Sequence, residues 1–179
     1  MASTTTALMT VEEFAKLPET AEYIGELHNG ELVKMTRPVF RHLSIQHRLQ
    51  RFLAAAAGDP ETVYIEMPFR PLPQYEVRVA DLAYAPKERW REVPQDGYFI
   101  GTPEIVIEIL SPSNTAAEML AREQICLENG AREFWIVDPD RKQVKISTPE
   151  GRTATYKCGA AIPLFFAGGK TLAVDAIFD

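Results

Sequence analysis

Three acids, one histidine and one arginine stand in this sequence where their immediate surroundings do not favour them. Asp81 interrupts the strand-like run EVRVADLAYA, on the face of Val77, Val79 and Ala83. Glu108 interrupts EIVIEIL, on the face of Glu104, Val106 and Leu110. A carboxylate within an apolar strand is costly unless it is hydrogen-bonded, paired or bound to a metal. Two of them on neighbouring strands could together hold Mg²⁺, with Mn²⁺ as a substitute, because these hard ions favour oxygen ligands. Glu31 opens the strand after an Asn29-Gly30 turn, on the face of Val33 and Met35, and is a candidate third ligand. Each acid could equally be hydrated or salt-bridged near a strand end.

The histidine and the arginine extend the same chemistry. His42 lies near the start of the segment HLSIQHRLQRFLAAAAG. At about 100° per residue it falls within about 20° of Leu49, so it points inward. There it could orient a phosphate or a carboxylate, or serve as a packed structural histidine. His47 falls on the solvent side. Arg122 stands one turn beyond Glu118 on a second helical segment. It could form an exposed i,i+4 pair worth only about 0.2–0.5 kcal/mol. Beside metal-bound carboxylates it could instead offset the charge that develops on a phosphate. Arginine stays protonated, so it would orient and stabilise rather than deprotonate water.

Other chemistries fit poorly. His28, His42, His47, Cys126 and Cys158 lack the spacing of a zinc site, and two cysteines cannot build a disulfide-dense scaffold. No phosphate-binding P-loop, dinucleotide fingerprint or G-x-S-x-G elbow occurs. Trp90 could stack on a base, whereas Trp135 alternates within an apolar run and reads as core.

The elements that must position these residues are legible from capping and periodicity. Thr10 and Glu13 match a capping box that opens a short helix to about Leu17, stopped by Pro18. Asn29-Gly30 predicts a type I′ hairpin between strands at 23–28 and 31–36. Ile45, Leu49, Phe52, Leu53 and Ala56 form the apolar stripe of a long helix closed by Gly58. Strand-like runs follow at TVYIEMPF, EVRVADLAYA, EIVIEIL and EFWIVD, then a closing hairpin, QVKIS and TATYK, around Pro149-Glu150-Gly151. Thr115 and Glu118 cap a helix from about 116 to 129, closed by Gly130. EIVIEIL, this helix and EFWIVD read as a right-handed parallel crossover. The segment between EVRVADLAYA and EIVIEIL reads as a loop. Its Lys87, Arg89 and Arg91, with Arg37 and Arg41, could form a basic rim. The tail from Ala160 is expected to pack back on the domain. The pattern predicts an α/β fold, a mixed β-sheet core with flanking helices and edge hairpins.

The chain has 179 residues, of which 46% are hydrophobic, with a net charge of −6. That supports one domain over 10–179 behind a flexible start at 1–9. The acidic balance argues against broad electrostatic coating of nucleic acid but leaves room for a local basic groove. No signal sequence or membrane-length apolar run is present, so a soluble cytoplasmic protein is expected.

The order NGELVKM, RPVFRHLSIQHRL, RVADLAYA, GTPEIVIEILSPSN and GAREFWIVDPD resembles the Uma-type family of restriction endonucleases, within the PD-(D/E)XK nuclease superfamily. The resemblance runs from about Thr10 to Phe178. It implies a restriction-endonuclease-like core and Mg²⁺-dependent hydrolysis of DNA phosphodiester bonds. Asp81 would be the first motif acid, Glu108 the second, Glu31 the upstream acid and His42 the histidine opening the first core helix. Arg122 falls where the family usually has a lysine. Ala80 replaces a usual proline before Asp81, Glu118 a common aspartate and Cys126 a common tyrosine. With arginine in the lysine position, the alternative is a catalytically impaired nuclease-fold protein that binds or regulates nucleic acid. A homomeric structural protein is the third class. A homodimer is expected by analogy, since cutting two strands needs two sites.

Overall fold

The structure is a computed structural model that describes residues 8–18, 22–35 and 38–179. A one-turn helix α1 (Val11–Phe14) opens with the anticipated Thr10–Glu13 capping box and ends sooner than Leu17. The hairpin β1 (Ile24–His28) and β2 (Glu31–Met35) turns through Asn29 and Gly30. Their φ angles of +46° and +79° are those a type I′ turn demands. Helix α2 (Phe40–Ala57) ends at Gly58, whose φ of +77° is the left-handed cap. Then come β3 (Val63–Arg70), β4 (Arg78–Tyr84), a short helix α3 (Lys87–Arg91), β5 (Phe99–Ile100) and β6 (Ile105–Ile109). They are followed by α4 (Ala116–Glu128), β7 (Glu133–Asp138), β8 (Gln143–Ser147) and β9 (Thr153–Lys157). The chain closes with β10 (Ala161–Pro163), β11 (Thr171–Ala173) and α5 (Asp175–Phe178).

Seven strands form one mixed sheet in the order β5-β3-β4-β6-β7-β8-β9. β6 and β7 are parallel, joined through α4 as the crossover reading requires. β3/β4, β4/β6, β7/β8 and β8/β9 are antiparallel. Alternate residues of the central strands divide the core in two. Ile105, Ile107 and Ile109 pack with Leu49 and Leu53 of α2 on one face, while Val106 and Phe134 pack with Cys126 of α4 on the other. The tail joins the α2 face through Ile162, Leu172, Val174 and Ile177. Trp135 is fully buried in that core.

Two sequence readings change. The segment after β4 contains α3 and β5 rather than only loop, anchored by Trp90, whose indole donates to the Thr62 and Ala85 carbonyls. Of the anticipated basic rim, Lys87, Arg89 and Arg91 do not line the cavity described below, whereas Arg41 does; Lys87 pairs with Asp59 and Glu61, and Arg89 with Glu104 at 3.0 Å. Arg37 lies outside the described residues. The second change concerns the pleat of β3 and β4. Residues two apart on a strand share a face. Yet Val63 and Ile65 lie with the α2-side core, whereas Met67 and Phe69 lie with the α4-side core. On β4, Leu82 and Tyr84 face α2 while Ala80 faces α4. Both strands change face where Glu66 stands opposite Asp81, between the pairs Ile65–Leu82 and Met67–Ala80. Glu66 carries a φ of +49°, a conformation costing a side-chain-bearing residue about 1–2 kcal/mol. Asp81 therefore shares no face with Ala83; the break turns it towards α2.

Candidate metal centre

β1 is tied beside β4 by Leu27 and Val77, which exchange backbone hydrogen bonds of 2.8 and 2.9 Å. With α2 in front and α4 behind, the break between β3 and β4 opens into a cavity of about 670 Å³. Its lining includes His42, Glu66, Asp81, Glu108 and Arg122, together with Glu26 from β1.

On the α2 side, His42, Glu66 and Asp81 each present one ligand atom, all within 4.8 Å of one another. Asp81 is held by its Oδ2, which accepts the Ile109 amide at 2.7 Å, so its Oδ1 is left to face His42. Glu66 is steadied by the buried Gln46, whose Nε2 donates to Glu66 Oε1 at 2.5 Å and to the Asp81 carbonyl at 3.1 Å. His42 Nε2 lies 3.0 Å from Asp81 Oδ1, yet this buried nitrogen has no hydrogen-bond partner of acceptable direction. Burial would lower the His42 pKa, but the carboxylates of Asp81 and Glu66 outweigh it and raise it. Burial raises that of Glu66, which the Gln46 donor only partly offsets. The trio therefore combines two carboxylates and one imidazole, whose Nε2 faces them without a well-directed hydrogen bond. Those features fit a divalent cation.

On the α4 side, Arg122 is only 3% exposed, and both of its terminal nitrogens are engaged. It donates to Glu26 Oε2 at 2.6 Å, to Glu108 Oε1 at 3.2 Å and to the Val79 carbonyl at 3.1 Å. Its pair with Glu118 does not form, because Glu118 turns back to cap Thr115. Glu26 also accepts the Val79 amide at 2.9 Å and meets His28 at 2.5 Å. Burial alone would raise the Glu26 pKa, but the Arg122 guanidinium, with His28 and the Val79 amide, brings it down to about 2. Glu108 moves the other way. Burial is its largest influence, Arg122 opposes it, and the neighbouring Asp81 and Glu26 reinforce it, so its pKa stands well above the usual carboxylate range. Burial works against the Arg122 charge, but Glu108 and Glu26 more than compensate and raise its pKa.

The five residues singled out in the sequence are thus distributed unevenly. His42 and Asp81 meet directly. Glu108 and Arg122 form an ion pair on the other side of the sheet. Glu31 is exposed beside the hairpin turn, opposite His28, and does not line the cavity. β1 docks against β4 through Leu27 and so delivers Glu26 instead, while Glu31 on β2 lies outside. Sequence reasoning missed Glu26 and Glu66. Glu26 had one signal, an acid beside a buried leucine in IGELH; Glu66 had none, since TVYIEMPF reads as an ordinary strand.

The family model for Uma2, described as "Putative restriction endonuclease", matches residues 11–176. The chain belongs to the Uma2 family. Among solved structures, Uma2 similarity extends to the crystal structure of a "putative nuclease belonging to DUF820" from Anabaena variabilis ATCC 29413. At 24% identity it superposes with a TM-score of 0.80, covering 95% of this chain and 97% of that one. The fold is accordingly that of the PD-(D/E)XK nuclease superfamily, an α/β mixed sheet flanked by helices. Among curated proteins none matches. Among the described residues of this Uma2 chain, no helix is long and apolar enough to cross a membrane.

Proposed function

We propose that this Uma2 protein is a metal-dependent deoxyribonuclease that hydrolyses phosphodiester bonds. The observation that carries the reading is the convergence of His42, Glu66 and Asp81 beneath an open cavity on a nuclease fold. Asp81 and Glu66 would hold Mg²⁺ or Mn²⁺, and His42 would add a nitrogen donor, which suits Mn²⁺ at least as well as Mg²⁺. When bound, the ion supplies polarisation of the scissile phosphate and a water of lowered pKa. The Ile109 amide and Gln46 fix the two carboxylates before the ion arrives. Glu108, held by Arg122 on the far side of Asp81, lies outside the trio and would shape the electrostatics of the site rather than ligate the ion. Arg122 acts through Glu26 and Glu108 rather than on the phosphate, because its guanidinium is already committed to them. Glu31 would contribute only indirectly, through the hairpin that carries Glu26. Cutting of both strands would use a homodimer in the cytoplasm.

A second reading, a nuclease-fold protein that binds nucleic acid without cutting it, is favoured by that same committed Arg122, which provides no tunable base. Cleavage of plasmid and oligonucleotides in Mg²⁺ and in Mn²⁺ separates the two. Asp81→Asn should abolish both cleavage and ion binding. Replacing His42 by Ala should weaken Mn²⁺ binding in calorimetry, and Mg²⁺ binding by less. Cleavage that survives both Asp81→Asn and Glu108→Gln would remove the hydrolytic assignment. Retained DNA binding with no ion binding would leave the second reading standing.

A further inference from the structure

The cavity is acidic. Glu26, Glu66, Asp81, Glu108, Asp138 and Asp140 line it, against the arginines Arg41, Arg122 and Arg141. A nucleic-acid backbone needs a cation near its phosphates to enter such a cleft. Arg122 is spent on Glu26 and Glu108. Arg141, although 73% exposed, pairs within its own turn with the buried Asp138, which also accepts the Asp140 and Arg141 amides and so fixes the turn after β7. Arg41 is differently placed. It stands in the first turn of α2, immediately before His42, on one wall of the cavity mouth. Its partner comes from the opposite wall: Arg41 NH1 meets Asp140 Oδ1 at 2.7 Å, and its other nitrogen donates to the Pro139 carbonyl.

This bridge joins residues 99 positions apart, and both side chains remain wet, at 57% and 84% exposure. An exposed ion pair is worth only about 0.2–1 kcal/mol, so it exchanges readily for another anion. A phosphodiester offers the guanidinium the same kind of oxygen acceptor and can take both ends of its fork, where Asp140 takes only one. We propose that Arg41 is a phosphate-positioning residue for a nucleic-acid strand, and that Asp140 is the built-in anion holding its place until the strand displaces it. Resting on the nuclease reading, this names the residue that admits the strand to the metal centre. Arg41 carries the phosphate next to the one approaching His42, Glu66 and Asp81. Asp140 screens the mouth against weaker anions.

Binding of a fluorescently labelled DNA duplex to the full chain, by anisotropy with Ca²⁺ as the ion, tests it as a double-mutant cycle. Asp140→Asn should tighten binding by about 1.4- to fivefold, the range an exposed pair allows. Arg41→Ala should weaken binding and lower the slope of log affinity against log salt by about 0.9, one phosphate contact. In the double variant the gain from Asp140→Asn should vanish. A gain that persists without Arg41 would mean simple charge removal and would overturn the proposal while leaving the nuclease reading intact. An unchanged salt slope in Arg41→Ala would overturn it in the same way. No duplex binding by any of the four proteins would overturn both. Arg41-dependent binding without cleavage in Mn²⁺ would uphold this proposal and remove only the hydrolytic one.

Discussion

Two carboxylate clusters lie back to back across one sheet, and they meet their charge in opposite ways. On the α4 face, Glu26 and Glu108 enclose Arg122, and all three are nearly sealed from water. On the α2 face, Glu66 and Asp81 are half-buried; the Gln46 amide and the Ile109 backbone donate to them, and the titratable His42, whose pKa they raise, stands 3.0 Å from Asp81. Burying an ion is tolerable when its counter-ion is built in, and costly when it is not. The first cluster is therefore a strut between β1, β6 and α4. The second keeps an electrostatic debt that a divalent cation can settle. Proximity of acids is common to both; a titratable histidine in place of a permanent arginine is what separates the candidate binding centre from the structural cluster.

Removing the strut's cation is the most drastic way to break this contrast. Arg122→Ala leaves two buried carboxylates facing each other and should cost about 3–5 kcal/mol of stability, read as a lowered urea midpoint. Arg122→Lys should recover part of it, because one ammonium replaces a guanidinium that spans Glu26, Glu108 and the Val79 carbonyl. If Arg122→Ala were as stable as the parent but failed to bind Mn²⁺, the arginine would belong to the metal centre and the division into strut and seat would be wrong.

The two glutamates of the strut offer a finer test, because their pKa values move apart. In the metal-free protein Glu26 stands near 2 against an ordinary 4.5. The folded value is the lower one, so its contribution is complete above about pH 4.5 and is lost as pH falls towards 2. The size is on the order of 3 kcal/mol. Glu108 has the higher folded value, so its contribution is present below its ordinary value and is lost as pH rises through the folded one. Unfolding by urea across a pH series should then give opposite signs at neutral pH. Glu26→Gln destabilises and flattens the acid limb, whereas Glu108→Gln stabilises, since an amide still accepts from Arg122 without a charge to bury. Shifts of the same sign would mean that the guanidinium serves both acids alike.

These clusters also mark where sequence reading stops. The Asn29-Gly30 hairpin, both capping boxes, the stripe of α2 and the β6-α4-β7 crossover are written in residues within a few positions of each other. Asp81, Glu108, His42 and Arg122 stood out because a charged or titratable group in an apolar pattern is visible locally. Their partners did not, because they come from far along the chain: Arg122 meets Glu26 across 96 residues, and Gln46 reaches Glu66 across 20. Glu26 enters only because Leu27 bridges to Val77, a tertiary event. Lys87 and Arg89 looked available as a basic rim because the acids that neutralise them, Asp59, Glu61 and Glu104, lie on other elements.

Glu66 is the least legible of all and gives the smallest and most particular effect. Its run alternates like any strand, and only the left-handed backbone at φ +49° turns both β3 and β4 over so that Glu66 and Asp81 face His42. Such a conformation costs about 1–2 kcal/mol for a residue with a Cβ, and glycine adopts it freely. Glycine also gives up more chain entropy on folding, about 0.5–1 kcal/mol, so most of the relief is cancelled. Burial further raises the Glu66 pKa, so removing its carboxylate removes a second unfavourable contribution at neutral pH. With the lost Gln46 hydrogen bond set against these gains, Glu66→Gly should change the stability of the metal-free protein by less than about 1 kcal/mol, while its stabilisation by added Mn²⁺ falls. Thermal unfolding with and without Mn²⁺ reads both at once. A variant that loses more stability than that in both conditions would show that the carboxylate, like those around Arg122, is a strut, and that the strained backbone is not held there for an ion.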